Sequence, residues 1–414
     1  MQRRYGLREE LSKYSKSWGG SLKIVQIYTE FLPSLGGIQV NMYNICKELR
    51  ERGHEVKILT SNMVGMAPHN LPSDEIIDGV QVIRFRALPI KLFYRLAFTP
   101  SIIPYLLSID ADVFHVFSFL PYFLTNIGCI ISKFRKIPLI ITPTYYPTRY
   151  LLYTGLMDKF VEALYDNFIG IKLLRKADSV IALTEGEARH YRENGVRTVH
   201  VIPVGVDLKG HTCKPEEVEE VRERFNLSEK VILCVGRLEK RKGIQYAIEA
   251  MPLVLKKFAN AKLLIVGADW GYQSRLEDLT RNLGIVKNVV FAGCLSSSEL
   301  SSAYELANVV VIPSIYEAFS HVVIEAWAHK KAVVATKTIG LAETISTETG
   351  ILIDSGDYKA LADAVIKIIS DQELAELMGM NGYRLVKREF ILDEVVNDLE
   401  KVYQLLTVRN KQRV

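Results

Sequence analysis

The chain has 414 residues, 49% apolar and 24% charged, with five cysteines and a formal net charge of +5. Such a length asks for two hydrophobic cores rather than one, and the balance excludes a disordered or membrane-embedded chain. A nucleic-acid binder is excluded as well, because the charge sits at the ends: residues 1–20 carry five Lys/Arg against two Glu, residues 401–414 carry four cations and no acid, and the body between holds 43 cations and 45 acids.

Residues 1–20 read as a basic extension without the apolar segment of a secretory signal. Leu22–Tyr28 reads as a buried strand. A loop with Pro33, Gly36 and Gly37 follows, then an amphipathic helix ending at Arg52-Gly53, with Gly53 as its left-handed cap. Further strands are expected at Val56–Thr60, Val80–Phe85, Val113–Val116, Leu139–Thr142, Ser179–Leu183 and Val199–Ile202. Helical patterns lie between most of them. A break comes at Pro203–Gly210, and the alternation restarts with Val231–Val235, Leu263–Val266, Val289–Ala292, Val309–Ile312, Ala332–Ala335 and Ile351–Ile353. This order predicts an α/β chain of two doubly wound parallel-sheet lobes with a ligand cleft between them. The expected domains are the extension 1–20, an N-terminal lobe 21–208, a C-terminal lobe 209–390, and a final helix with basic tail, 391–414.

The most apolar stretch, Phe117–Phe134, contains Ser118, Pro121, Thr125, Asn126 and Ser132, so a buried helix is expected there and not a membrane span. Cys46, Cys129, Cys213, Cys234 and Cys294 form no CxxC pair. Free thiols in a reducing compartment are expected, which places the protein in the cytoplasm. The basic ends read as solvated tails or as contacts to an anionic membrane surface, giving a peripheral location. The aromatic and basic stretch Arg84–Tyr105, with Lys91, Phe93, Tyr94 and Arg95, reads either as packing against the sheet or as a docking loop for a lipid acceptor.

The densest chemistry is in Pro313–Ala326, where Glu317 and Glu325 stand eight residues apart. Glu317 lies on the loop after a strand, and Glu325 lies in the helix expected to open at Phe319 or Ser320. Backbone N–H groups at that helix start, together with His321, suit a negatively charged ligand end. Upstream, Gly236-Arg237 and Lys242-Gly243 supply cations directly after another strand. Arginine offers a planar fork for phosphate and lysine a point charge. Such cations can stabilise a departing diphosphate, the work a metal does elsewhere, so no metal and no cofactor is expected. The alternative for Arg237 and Lys242 is surface charge, since Lys240 and Arg241 stand between them.

Glu317 and Glu325 also have the composition of a hydrolase pair. Eight residues at 1.5 Å each is about 12 Å along a helix, beyond the roughly 5–9.5 Å such a pair needs, and better suited to gripping two parts of a long ligand. Phosphate held by cations and a helix start, flanked by carboxylates that grip hydroxyls, describes a nucleotide-sugar site. Gly36 and Gly37 read as a close approach to that ligand or as a tight turn. No GxGxxG is present, which removes the main support for a dehydrogenase. His115, expected at a strand terminus, is a candidate base or a satisfied core histidine.

On these residues the chain resembles the family 4 retaining glycosyltransferases, which have the two-lobed GT-B fold. The resemblance covers Leu22 to about Leu406. It is carried by Glu317-x7-Glu325, Gly236-Arg237 with Lys242-Gly243, Val201–Asp207, Thr349–Leu352, and Gly36-Gly37 with Arg52–Val56. Segments Gly36–Val56 and Gly79–Pro104 are also similar to the catalytic subunit that puts N-acetylglucosamine on phosphatidylinositol. The resemblance implies that Arg237 and Lys242 hold the donor diphosphate. It implies further that the Phe319, Ser320 and His321 amides meet its phosphates, Glu317 the donor sugar, Glu325 the ribose, and that Gly37 sits beside the transferred sugar. It also implies metal-independent transfer with retention, from a UDP- or GDP-sugar to a hydroxyl acceptor, with a lipid or a lipid-linked glycan as candidates. Family members often carry His where this chain has Asn41 and Phe117, which bears on the acceptor contact. An epimerase on the same fold and a non-catalytic sugar-nucleotide-binding subunit are the alternatives.

Overall fold

The structure, a computed structural model, describes residues 20–34, 36–65, 67–88, 98–118, 123–144 and 165–412. The chain divides into two compact units. One runs to Gly205 and resumes at Leu392, and the other is Val206–Ile391. The expected boundary near 208 therefore lies at Gly205/Val206. The final helix, expected as a terminal piece from 391, is an integral part of the first unit.

The first unit is built on β1 (Lys23–Ile27), β2 (Glu55–Ser61), β3 (Met63–Val64), β4 (Ala67–Pro68), β5 (Asp74–Ile77), β6 (Val80–Phe85), β7 (Val113–Phe117), β8 (Leu139–Thr142), β9 (Ser179–Ala182) and β10 (Val199–Val201). Eight of these form one sheet in the order β10-β9-β8-β7-β1-β2-β6-β5, parallel except for the β5–β6 pair. β7, β8 and β9 are buried at every position, as expected for parallel strands covered on both faces. β5 alternates exposed and half-buried residues and so makes a polar edge, which protects a sheet margin. The short pair β3–β4 and the edge strand β5 carry too little apolar pattern to be expected from sequence.

The helix Gly37–Glu51 packs on this sheet, with Gly53 left-handed beyond its end at φ 88°. The helix Leu392–Lys411 packs beside it, burying Val395, Val396, Leu399, Val402, Tyr403, Leu405 and Leu406 in the core that contains Leu22, Ile24 and Met42. Polar contacts join the two helices. Arg52 reaches Glu48 at 3.0 Å, Glu400 at 2.9 Å and the Asp393 carbonyl at 2.8 Å. His54 Nε2 lies 3.2 Å from Glu400 Oε1, while its Nδ1 accepts from the Leu22 N–H. His54 and then Arg52 outweigh burial and hold the Glu400 carboxyl below the usual carboxylate range.

The stretch Phe117–Phe134 is not one buried helix. Phe117 ends β7, the described helix is Phe123–Arg135, and Phe134 is 77% exposed. No helix among the described residues is long and apolar enough to cross a membrane. In Arg84–Tyr105 the backbones of Leu88 and Phe98 pair with each other and Ile102–Ser108 is helical. Lys91, Phe93, Tyr94 and Arg95, together with residues 1–19 and the last two of the basic tail, lie outside the described residues.

The second unit holds β11 (Val231–Val235), β12 (Lys262–Val266), β13 (Val289–Gly293), β14 (Val309–Ile312), β15 (Val333–Thr336) and β16 (Gly350–Ile353). All pair in parallel, in the order β13-β12-β11-β14-β15-β16. The order reverses between β11 and β14, so this is the switch point, where loops leave the strand ends to opposite sides and open a crevice. The two loops leaving β11 and β14 carry the two motifs.

Candidate active site

β11 ends at Val235 and releases Gly236–Gly243, and β14 ends at Ile312 and releases Pro313–Ser320. The strands are neighbours, so residues some eighty positions apart in sequence meet. Three contacts join the loops. The Ile315 N–H donates to the Arg241 carbonyl at 2.9 Å. Lys242 Nζ donates to Glu317 Oε2 at 2.8 Å, with both side chains largely buried. At Gly243 the backbone is left-handed, and an added Cβ would stand 1.9 Å from the Pro313 carbonyl oxygen. Only glycine permits that approach.

The start of the helix Ile339–Thr344, which follows β15, steadies Glu317 from behind. Its carbonyl accepts from Thr338 Oγ1 at 3.1 Å and from the Gly340 N–H at 3.3 Å. A Cβ on Gly340 would lie 1.8 Å from the Ala318 carbonyl oxygen. The carboxylate therefore sits on a backbone clamped from two sides.

Arg237 donates to Glu239 at 3.0 Å and lies over the Trp270 ring at 4.3 Å. Arg241 donates to the same Glu239 oxygen, also at 3.0 Å. Burial would raise the Glu239 carboxyl, but Arg241, Arg237 and Lys242 outweigh it and leave it below its ordinary value. Burial would lower the Arg241 guanidinium, and Glu239 and Glu317 raise it instead. Arg237, Lys240, Arg241 and Lys242 set against Glu239 and Glu317 leave this corner two charges positive, matching the roughly two negative charges of a diphosphate diester. Arg241, read from sequence as interruption, thus helps hold both loops, and Glu239 and Trp270 are residues that sequence reasoning missed. Glu239 could have been found as the lone acid inside a basic run. Trp270 carries no such signal.

The helix after this loop is His321–Ala328, with Ser320 as its N-cap, one residue later than expected. The Ser320 hydroxyl makes no capping bond, so Val322 and Val323 lack the side-chain partner that serine usually gives there. Phe319 is buried edge-on against Phe390, ring centres 5.9 Å apart. Because the helix starts at His321, only half of the eight steps from Glu317 to Glu325 are helical. The 12 Å helical ruler therefore does not apply, and each carboxylate is held by a different partner.

For Glu325 that partner is the hydroxyl of Tyr304, donating at 2.7 Å. Tyr304 is fully buried and stacked on His329, which bonds Glu305 at 2.9 Å and His211 at 3.3 Å. Burial and then the Glu325 charge push the Tyr304 hydroxyl well above its ordinary value, so it acts as a fixed donor. Tyr304→Phe removes that bond and frees the Glu325 carboxylate to rotate. We expect the KM for donor to rise about tenfold, roughly the worth of one bond to a charged group, with kcat changed less. An unchanged KM in initial-rate measurements would dismiss the role.

Sequence expectations in the first unit fare differently. His115 is central in β7, not at its end. It is 1% exposed, with Nδ1 2.7 Å from the Tyr403 hydroxyl and Nε2 2.7 Å from Thr142 Oγ1. Burial pushes it down to about 3, so at neutral pH it is an uncharged, doubly bonded core histidine, as the alternative reading had it. Gly36 is the N-cap of the helix that Gly37 begins, in extended backbone at φ −171°, so neither a left-handed turn nor glycine's freedom is used there. Asn41 and Phe117 are both buried and line one small pocket with His115 and Thr142. Its Asn41 Oδ1 has no hydrogen-bond partner.

Residues 216–385 match the family model described as glycosyl transferases group 1, and residues 36–205 match the glycosyl transferase 4-like domain. This chain is a glycosyltransferase, with the group 1 match confined to its second unit. An uncharacterized glycosyltransferase of Methanocaldococcus jannaschii is 29% identical over 400 residues, covering 93% of this chain and 98% of its own. A D-inositol 3-phosphate glycosyltransferase of Corynebacterium diphtheriae is 28% identical, covering 89% of each chain. Among solved structures, the sucrose-phosphate synthase of Thermosynechococcus elongatus superposes with a TM-score of 0.77 at 25% identity, covering 93% of this chain and 99% of its own. The fold of this glycosyltransferase is accordingly the GT-B type, two Rossmann-like parallel-sheet units.

Proposed function

We propose that this glycosyltransferase moves a hexosyl group from a UDP- or GDP-sugar to a hydroxyl acceptor, with retention of anomeric configuration and without a metal ion. The observation that carries the reading is the joining of Lys242 and Glu317 at the switch point of the second unit, inside a corner two charges positive. Lys242 and Arg237 bind the donor diphosphate, and the amides at Phe319, Ser320 and His321 meet its oxygens. Glu317 orients the sugar and Glu325 the ribose.

In the transfer the bond from the anomeric carbon to the phosphate oxygen breaks. Negative charge grows on the leaving diphosphate, where the cations stabilise it more than in the ground state. The acceptor oxygen bonds to the same face of the anomeric carbon, and its proton passes to the leaving phosphate oxygen. His115 takes no part, because both its ring nitrogens are engaged. The Corynebacterium relative, a D-inositol 3-phosphate glycosyltransferase, supports a polyol as acceptor.

A thermal-stability screen of nucleoside diphosphate sugars tests the reading, since a bound donor raises the melting temperature by mass action. Donors that stabilise the protein are then offered polyol acceptors in the presence of a chelator. Stabilisation by one nucleotide class and chelator-resistant transfer are expected. Free nucleotide with an altered sugar and no acceptor requirement would mark an epimerase. Binding without turnover on any acceptor would mark a non-catalytic subunit.

A further inference from the structure

One cavity in the first unit has no role in the chemistry above. It measures about 590 Å³ and opens at the carboxyl ends of β2 and β6, the edge of a parallel sheet from which ligand-binding loops leave. That volume is within the range of small-molecule sites. Its polar lining includes Asn62, His69, Ser73, Arg84 and Arg86, with Leu71 among the apolar residues, and no carboxylate is among the described residues that line it.

Arg84 is part of a built wall. It is 5% exposed and ion-paired with Glu75, and it donates to the carbonyls of Pro72 at 3.3 Å and Leu32 at 2.6 Å. Its Nε is nevertheless buried with no hydrogen-bond partner, an arrangement that costs free energy unless a ligand or water completes it. Asn62 is rigid as well, its amide donating to the His69 carbonyl and its carbonyl accepting from the Ala87 N–H, each at 2.8 Å. That clamp presents His69 and the exposed Arg86 at the rim. A rigid wall, an exposed arginine at the mouth and no carboxylate among the described lining residues suit a phosphate oxyanion.

We propose that this pocket binds a phosphate ester carried by the acceptor. Arg86 and His69 grip the phosphate, and Leu71 lies against the carbon skeleton. The word acceptor rests on the transferase reading, but the anion site does not. The phosphate can belong to a soluble polyol phosphate or to a lipid headgroup, and the chemistry at the pocket is the same.

The full chain is titrated calorimetrically with sn-glycerol 3-phosphate in saturating UDP and GDP, which occupy the donor site. In parallel it is sedimented with phosphatidylcholine vesicles with and without phosphatidylinositol. Saturable binding in one arm, weakened at least tenfold by Arg86→Glu and by His69→Ala and kept by Arg86→Lys, is the expected result, and the responding arm names the source. Arg86 is exposed, so an unshifted melting curve shows that its variants fold. No binding in either arm, or binding indifferent to Arg86, overturns the proposal, as does binding lost in Lys242→Ala but not in Arg86→Glu. Donor stabilisation is read on the same samples. Its absence beside Arg86-dependent phosphate binding would sink the transferase reading and leave the pocket standing.

Discussion

Lys242→Ala lowers kcat by about 10²–10³-fold, roughly 3–4 kcal/mol of barrier, and leaves the fold standing. The ammonium is 2.8 Å from Glu317 and sits where the β11 and β14 loops meet. Removing it takes away the charge that the proposed mechanism sets against the leaving diphosphate and also leaves Glu317, 8% exposed, without its ion-pair partner. The first effect falls on the transition state and the second on the pose of the donor sugar, so kcat falls more than donor KM rises. Lys242→Arg should recover little, because a planar fork does not replace a point charge in a fitted place. Initial rates at several donor concentrations, with a melting curve on the same sample, make the check. Wild-type kcat in Lys242→Ala would remove the basis of the proposed mechanism.

Gly243→Ala, a change of one methyl group, is expected to damage both stability and activity. The residue stands at φ 69°, and the added carbon would be 1.9 Å from the Pro313 carbonyl oxygen. The left-handed backbone alone costs about 1–2 kcal/mol in a non-glycine residue. The clash cannot relax by a rotamer change, because the atom it meets is backbone. One loop must move away from the other, and the move pulls Lys242 from Glu317. A loss of about 2 kcal/mol in a unit of this size lowers its melting temperature by roughly 4–8 °C, and kcat should fall at least as far as in Lys242→Ala. Gly53→Ala provides the comparison, since Gly53 is also left-handed, at φ 88°, but has open space around it. It should melt slightly lower and turn over normally. Equal effects of the two substitutions would show that strain, and not the approach of the two loops, is what matters at Gly243.

Most of the fold was legible along the chain because parallel strands covered on both faces are continuous apolar runs, and each such run became a strand within a residue or two. What escaped were β3, β4 and β5, whose pairing is made by neighbours and a turn, not by apolar pattern. The site was half legible. Glu317, Glu325, Arg237 and Lys242 declare themselves by charge and spacing after strands. Tyr304, Trp270 and Glu239 do not, because an aromatic ring or an acid acquires a role only from what folds against it. His115 shows the reverse: its position along the strand suggests a base, whereas Tyr403, 288 residues away, and Thr142 occupy both its nitrogens.

The order of apolar runs, the glycines and the charged motifs, all local properties, determined by themselves that this would be a two-unit α/β protein with an anion site after two strands. Which strands lie side by side, and therefore that Lys242 meets Glu317, was decided by the tertiary structure alone. So was the return of the last helix to the first unit, where Val395, Leu399 and Tyr403 find a core that their own spacing could not name. The physical reason is that burial has no address. Hydrophobic free energy rewards any apolar partner, and only packing, backbone pairing and placed ion pairs such as Arg52–Glu400 select one.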